Sequence, residues 1–208
     1  ELRVLAHYLS VYDNGNFKKT LLEDDVHTTN QQVLRLPSRD LAKTFIYAYI
    51  YGAGNQKLAD ICSVPLSEGK KIREKFEASI TGLKTLTEAV KRKYRTQGWL
   101  KGLDGRKIIC RSEHSSLNTL LQGGGAVLVK QATIILNELA KAAGLKFGTD
   151  YAMVLHVHDE MQFVVKKDKV EIFKGLLKQI FQKTQDHFKF KCPLAGEIKS
   201  GNNWSATH

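Results

Sequence analysis

The sequence predicts an α+β fold, mainly helical, with two short strand regions and an inserted helical lobe, and three observations carry that prediction. Residues 99–111 set two short strand-like runs around Asp104-Gly105, and residues 151–165 set two apolar strand-like runs around an acidic turn. The stretches before, between and after them repeat apolar residues at helical spacing. The strands fall late in the chain, behind a run of helices, rather than alternating with helices one by one. At 208 residues, 42% hydrophobic and 25% charged, the chain is long enough for one large domain or two small lobes.

The elements follow in order. "ELRVLAHYL" opens directly in helical spacing through Leu2, Leu5, Ala6 and Leu9, although the first residue is Glu1 and not Met. A polar turn, "YDNGN", leads to "EDDVHTTNQQVL", whose acids suit a helix start. "LPSRDLAKTFIYAYIYGAG" is the clearest helix in the chain, with Ser38 as N-cap and Gly52 near its carboxyl end. Residues 67–97 read as one or two charged amphipathic helices broken near Thr81-Gly82. "WLKGLDGRKIICR" places Asp104-Gly105 between two strand-like runs, a hairpin signal. A long helix is expected from Ser115 to about Ala143, ended by Gly144. Its interior holds Gly123, Gly124 and Gly125, each costing about 0.8–1 kcal/mol relative to Ala, so close packing against a neighbour is expected to compensate. Tyr151 to Val165 reads as a second hairpin or tight strand pair. The last helix, "DKVEIFKGLLKQIFQKTQDHF", is expected to bury Val170, Phe173, Leu177 and Ile180.

Composition narrows the function classes. Cys62, Cys110 and Cys192 are far apart and odd in number, which indicates neither a zinc site nor a disulfide framework. The longest mainly apolar stretch is expected to be Phe45 to Gly54, about half of the roughly 20 residues a membrane span needs. No membrane partner is therefore expected, and a cytoplasmic location follows by default. A net charge of +11 favours a polyanionic partner through long-range attraction and counterion release.

Two stretches carry candidate chemistry. Arg39, Lys43 and Tyr47 recur every fourth residue, within about 80° of one another on one helix face, and Tyr51-Gly52 extends the stripe. Leu41, Phe45 and Ala48 are expected to pack on the opposite side. Two cations and an aromatic ring suit the phosphates, sugar and base of a nucleotide; a solvated charged face is the other reading. In "LHVHDEMQFVV", Asp159 and Glu160 can address one target only if the chain bends, so His158-Asp159 is placed at the tip of a tight turn. A carboxylate held there suits Mg²⁺, or the turn is simply acidic.

"RDLAKTFIYAYIYGAG" together with "VHDE" resembles the family A DNA polymerases, the bacterial DNA polymerase I group, and among them the replicative polymerases of T-odd phages. "ELRVLAH", "DVHT", "GLDGRK", "LNTLLQ" and a terminal Asn203-Trp204 with His208 resemble family text in the same order, across the whole chain. The resemblance implies a helix-rich fingers subdomain at 15–98, inserted in a partial palm with a small antiparallel sheet, at 1–14 and 99–208. It implies template-directed transfer of a deoxynucleotide to a primer 3′-OH, with two Mg²⁺ ions, primer-template DNA and dNTPs as cofactor and partners.

Position by position, the resemblance implies that Arg39 and Lys43 contact the incoming triphosphate, with His27 helping to hold the phosphates. Tyr47 would stack near the sugar, Tyr51 beside the templating pair, and Glu1 would block a ribose 2′-OH. Asn118 and Gln122, one turn apart on the long helix, would reach minor-groove acceptors that every base pair presents. Arg111 and His158 resemble positions at the primer terminus, and an ordinary solvated hairpin charge is the other reading of Arg111. Asp159 would bind metal, with Glu160 as an outer participant and Lys43 counted beside them as catalytic.

One departure matters. The family's partner aspartate precedes Glu-Leu-Arg in Asp-x-Ser-x-x-Glu-Leu-Arg, and Glu1-Leu2-Arg3 stands at the start of this sequence. The expectation is therefore a fingers-and-palm portion, a gene fragment or one half of a split enzyme, that is inactive alone and needs an upstream part supplying thumb and first palm motif. An exonuclease domain and a processivity factor stay open, in a phage-infected or bacterial cell. A non-catalytic DNA-binding subunit is the alternative; a His-Asp metal phosphohydrolase would need further histidines on helices and fits less well.

Overall fold

The computed structural model describes residues 1–207, which fall into two compact units that divide at Gly124 and Gly125. The fold is α+β. His208 of the terminal motif lies outside the described residues.

The first unit carries α1 (Leu2–Leu9), α2 (Asn16–Glu23), α3 (Val26–Leu34), α4 (Arg39–Ile50), α5 (Asn55–Cys62), α6 (Leu66–Ser79) and α7 (Leu83–Gln97), followed by the strands β1 (Trp99–Lys101) and β2 (Lys107–Ile109). The helix starts are set locally. Asp13 accepts the backbone N–H groups of Gly15 at 2.8 Å and Phe17 at 2.7 Å, and so opens α2. Asp25 caps α3, and Ser38 caps α4 by accepting from the Leu41 N–H at 3.1 Å. The two strands pair antiparallel, Trp99 with Ile109 and Lys101 with Lys107, around the expected Asp104-Gly105 turn.

The core of this unit lies beneath α4, where the Phe45 and Phe76 rings meet edge to face at 5.6 Å and Ile46 and Ile50 are buried beside them. Three expectations are corrected here. The buried face of α4 is Ala42, Phe45, Ile46, Tyr49 and Ile50, whereas Leu41 and Ala48 are only half-buried. Neither α2 nor α5 was expected. Each is eight residues long; α2 buries Phe17 alone, which leaves little apolar pattern to read, and α5 is held by α6, whose Gly69 lies so close that a Cβ there would be 2.5 Å from the Ala59 Cβ.

The helix α8 (Ser116–Ala142) runs from the first unit into the second. Its glycine run is explained in part: a Cβ on Gly124 would lie 2.8 Å from Val4 Cγ1, and one on Gly123 3.3 Å from Ile108 Cδ1. Gly125 faces open space. By length and composition α8 would pass for a membrane span, so Phe45 to Gly54 is not the longest mainly apolar stretch of the chain; the Ala132, Ile135, Leu136 and Ala140 of α8 are core residues of the second unit.

That unit adds β3 (Tyr151–Val157), β4 (Glu160–Val165) and α9 (Val170–Phe188). The strands pair antiparallel from Tyr151 with Val165 to Val157 with Glu160, with an irregularity between Met153 and Leu155. One face of the hairpin packs on α8 and α9 through Tyr151, Met161, Phe163 and Phe173. On α9, Phe173 and Ile180 are buried as expected, but the third fully buried apolar residue is Leu176 rather than Leu177, and Val170 and Leu177 are only half-buried.

Candidate functional site

In the first unit, α4 presents the stripe read from its spacing. Arg39 and Lys43 are exposed, Tyr47 is half-buried and Tyr51 is 46% exposed, on the side opposite the buried Phe45 and Ile46. The neighbouring α3 brings His27 alongside, its ring centroid 6.1 Å from that of Tyr47 and tilted by 43°. Tyr47 in turn stands 6.1 Å from Tyr51. The Tyr51 hydroxyl donates to the Glu1 carboxylate at 3.0 Å and also meets the Gln122 side chain of α8. His27, Tyr47, Tyr51, Glu1 and Gln122, all singled out by sequence, thus form one continuous line, with Arg39 and Lys43 on the same helix as the two tyrosines.

Gly52 closes the line. Its φ is +86°, and a Cβ there would sit 2.2 Å from the His114 carbonyl oxygen. The backbone that enters α8 therefore approaches this glycine more closely than a side chain would allow. Asn118 and Gln122 follow on α8; the Asn118 Oδ1 is buried with no partner among the described residues, and Gln122 is exposed. Arg111 stands exposed just beyond β2.

Electrostatics bind the amino-terminal end of the line together. Burial, then the charges of Arg39 and Lys43, push the His27 pKa below its ordinary value, while Asp25 acts against them. A neutral imidazole follows. Its Nδ1 is buried without a partner among the described residues, and two cations lie near enough to act on it, so an anionic ligand fits the surroundings. Asp25 was not picked out by sequence except as an acid near a helix start. Its carboxylate takes the Arg39 Nε at 2.6 Å, and this bond, foremost among several causes, holds its pKa far below the usual carboxylate range. Burial, followed by the Glu1 carboxylate, raises the Tyr51 pKa, so its phenol stays protonated and remains a donor.

The second unit holds the remaining residues. Val157 and Glu160 form the last pair of the β3–β4 hairpin, so His158-Asp159 is a two-residue turn, and His158 takes a φ of +52°. This is the bend that the adjacent acids required. Asp159 is exposed and makes no ion pair or hydrogen bond among the described residues; Glu160 is half-buried and accepts from the Gln162 side-chain amide. A hard oxygen donor projecting from an anchored turn fits Mg²⁺, which takes one or two protein carboxylates and completes its shell with phosphate and water. No group of three or more His, Cys, Asp or Glu side chains able to hold an ion occurs among the described residues.

Residues 1–206 match the family described as DNA polymerase family A. The whole chain is 36% identical over 226 residues to the DNA-directed DNA polymerase of Escherichia phage T7, covering 32% of that protein. It is similarly 36% identical over 228 residues to that of Enterobacteria phage T3, again 32% of the relative. It is 28% identical over 228 residues to the DNA polymerase I of Deinococcus radiodurans, covering 23% of it. The chain therefore spans about a third or less of the length of these relatives. Among solved structures, the POL domain of Pol1 from M. smegmatis, in complex with DNA primer-template and dNTP, has the same fold with a TM-score of 0.83 and 22% identity. That likeness covers 99% of this chain and 38% of the other.

Proposed function

The chain belongs to DNA polymerase family A, and on that premise we propose that it is the fingers and palm part of a DNA-directed DNA polymerase that adds deoxynucleotides to a primer 3′-OH as a template directs. The observation that carries the reading is the line along α4: two exposed cations, a neutral histidine, two aromatic rings and a carboxylate, in that order. The order matches a triphosphate, a sugar and a base pair laid along the helix. In this reading the fingers are residues 15–98, with palm at 1–14 and 99–208.

Arg39 and Lys43 oppose the charge of the triphosphate, and His27 donates its single imidazole proton to a phosphate oxygen. Tyr47 offers a ring to the sugar. Tyr51 stands at the base pair, and its bond to Glu1 holds the carboxylate where a ribose 2′-OH would fall, so that deoxyribonucleotides are selected. Asn118 and Gln122 read the minor-groove edge without sequence preference, and Arg111 and His158 hold the primer terminus. Metal dependence is general among family A polymerases; Asp159, supported by Glu160, would hold Mg²⁺, which when bound eases deprotonation of the primer 3′-OH and steadies the leaving pyrophosphate. Primer-template DNA and dNTPs are the partners this reading requires, and a net charge of +11 supports the first of them. The phage and bacterial relatives support a cytoplasmic setting in a bacterial or phage-infected cell.

The test is Asp159→Asn in this chain with the upstream thumb and first palm motif supplied, fused or as a separate chain. Primer extension is expected to fall by at least about a thousand-fold while primer-template affinity changes less than about two-fold. Extension near the wild-type rate refutes the metal role; DNA binding with no extension by the wild-type protein, the upstream part being present, refutes the polymerase reading in favour of a DNA-binding module.

A further inference from the structure

The Asp25 carboxylate is divided between two tasks. Its Oδ1 accepts the backbone N–H groups of His27 at 2.9 Å and Thr28 at 3.3 Å, which caps α3. Its Oδ2 accepts the Arg39 Nε at 2.6 Å. Arg39 is the first residue of α4, so a single carboxylate joins the amino ends of the two helices that carry His27, Arg39 and Lys43. The bond uses Nε alone, and the two Nη groups have no partner among the described residues. The contrast with Arg95 is informative: Glu113 takes both its Nε, at 2.9 Å, and its Nη2, at 2.5 Å, in a two-point pair that occupies the guanidinium edge. An arginine held only by Nε has its plane fixed while the Nη edge, which matches two oxygens of a phosphate, stays available.

We infer that Asp25 is a positioning residue for the incoming nucleotide, holding Arg39 by Nε so that its Nη edge and the adjacent His27 ring meet the triphosphate as one preorganised surface. The inference rests on the proposed reading of Arg39 as a triphosphate contact. Its opposite is masking, in which Asp25 competes with phosphate for the guanidinium. The two differ in sign, because removing a carboxylate from beside a triphosphate relieves repulsion and, without a positioning role, tightens binding.

Asp25→Asn separates the tasks. Asn is as good an N-cap as Asp, so the Oδ1 bonds survive, but its amide nitrogen cannot accept from Nε. In the full encoded chain, single-turnover incorporation is measured against dNTP concentration. The apparent nucleotide Kd is expected to rise on the order of five-fold, the size of one charge-assisted bond at a half-exposed pair, with the melting temperature unchanged. Asp25→Ser, which also keeps a cap, should behave in the same way. In an Arg39→Ala background Asp25→Asn should add nothing, since its effect acts through Arg39. An unchanged or lower Kd in Asp25→Asn, where Arg39→Ala does raise it, overturns the positioning role alone. If Arg39→Ala leaves the Kd unaltered, the triphosphate reading falls and the positioning role falls with it.

Discussion

Replacing Gly52 with Ala tests the junction on which the line of side chains along α4 depends. At a φ of +86° an L-residue carries strain of about 1–2 kcal/mol. The new Cβ would also lie 2.2 Å from the His114 carbonyl oxygen, more than about 1 Å inside ordinary contact, and 2.9 Å from its carbon. Both partners are main-chain atoms or fixed to them, so no rotamer change relieves the overlap and the segment entering α8 must shift. The expected total is about 3 kcal/mol, at the upper end for single substitutions. For a chain of this size that lowers Tm by roughly 6–12 °C. Gly54→Ala, two residues on, is the internal control: its φ is −72° and nothing lies within 4 Å of the added methyl. As an N-cap glycine it should cost under about 1 kcal/mol. Urea unfolding of both variants, followed by far-ultraviolet circular dichroism, decides the matter. Equal shifts for the two variants would refute the reasoning. So would a Gly52→Ala protein with native stability.

The glycine run in α8 should behave unevenly. Gly125→Ala is expected to stabilise by about 0.8 kcal/mol, since its Cβ meets nothing, while Gly124→Ala should gain nothing or lose stability because Val4 Cγ1 lies 2.8 Å away; the same unfolding assay ranks them. Tyr47→Phe should raise discrimination against dideoxynucleotides, read from termination frequency in primer extension, and unchanged discrimination would remove Tyr47 from the sugar. The pH dependence has a definite sign. His27 is held below its unfolded pKa of about 6.5, so the unfolded chain binds the proton more readily and stability rises with pH through a window just below that value. His27→Gln should flatten this part of the stability profile in denaturant melts at successive pH values.

Much of the fold was legible wherever structure is set by neighbours in the chain. Ser38 and Gly52 bracket α4 because a hydroxyl caps its first turn and a positive φ ends it. Asp104-Gly105 and His158-Asp159 mark turns because few residues tolerate those backbone angles. The errors occur where burial decides. Leu41 and Ala48 share the apolar character of Ala42 and Ile46, and only the positions of α3 and α5 select which pair is covered. The helices α2 and α5, eight residues each, are too short to be stable by propensity and exist because they are packed.

The candidate site divides in the same way. Sequence by itself determined the Arg39, Lys43, Tyr47, Tyr51 stripe and the acidic turn at Asp159, because a helix or a tight turn converts spacing directly into a common face. Tertiary structure alone decided that Asp25 holds Arg39, that Tyr51 meets Glu1, and that the His114 carbonyl lies against Gly52. These contacts join residues many positions apart. They depend on which helix faces the packed core turns inward, and no local rule carries that information.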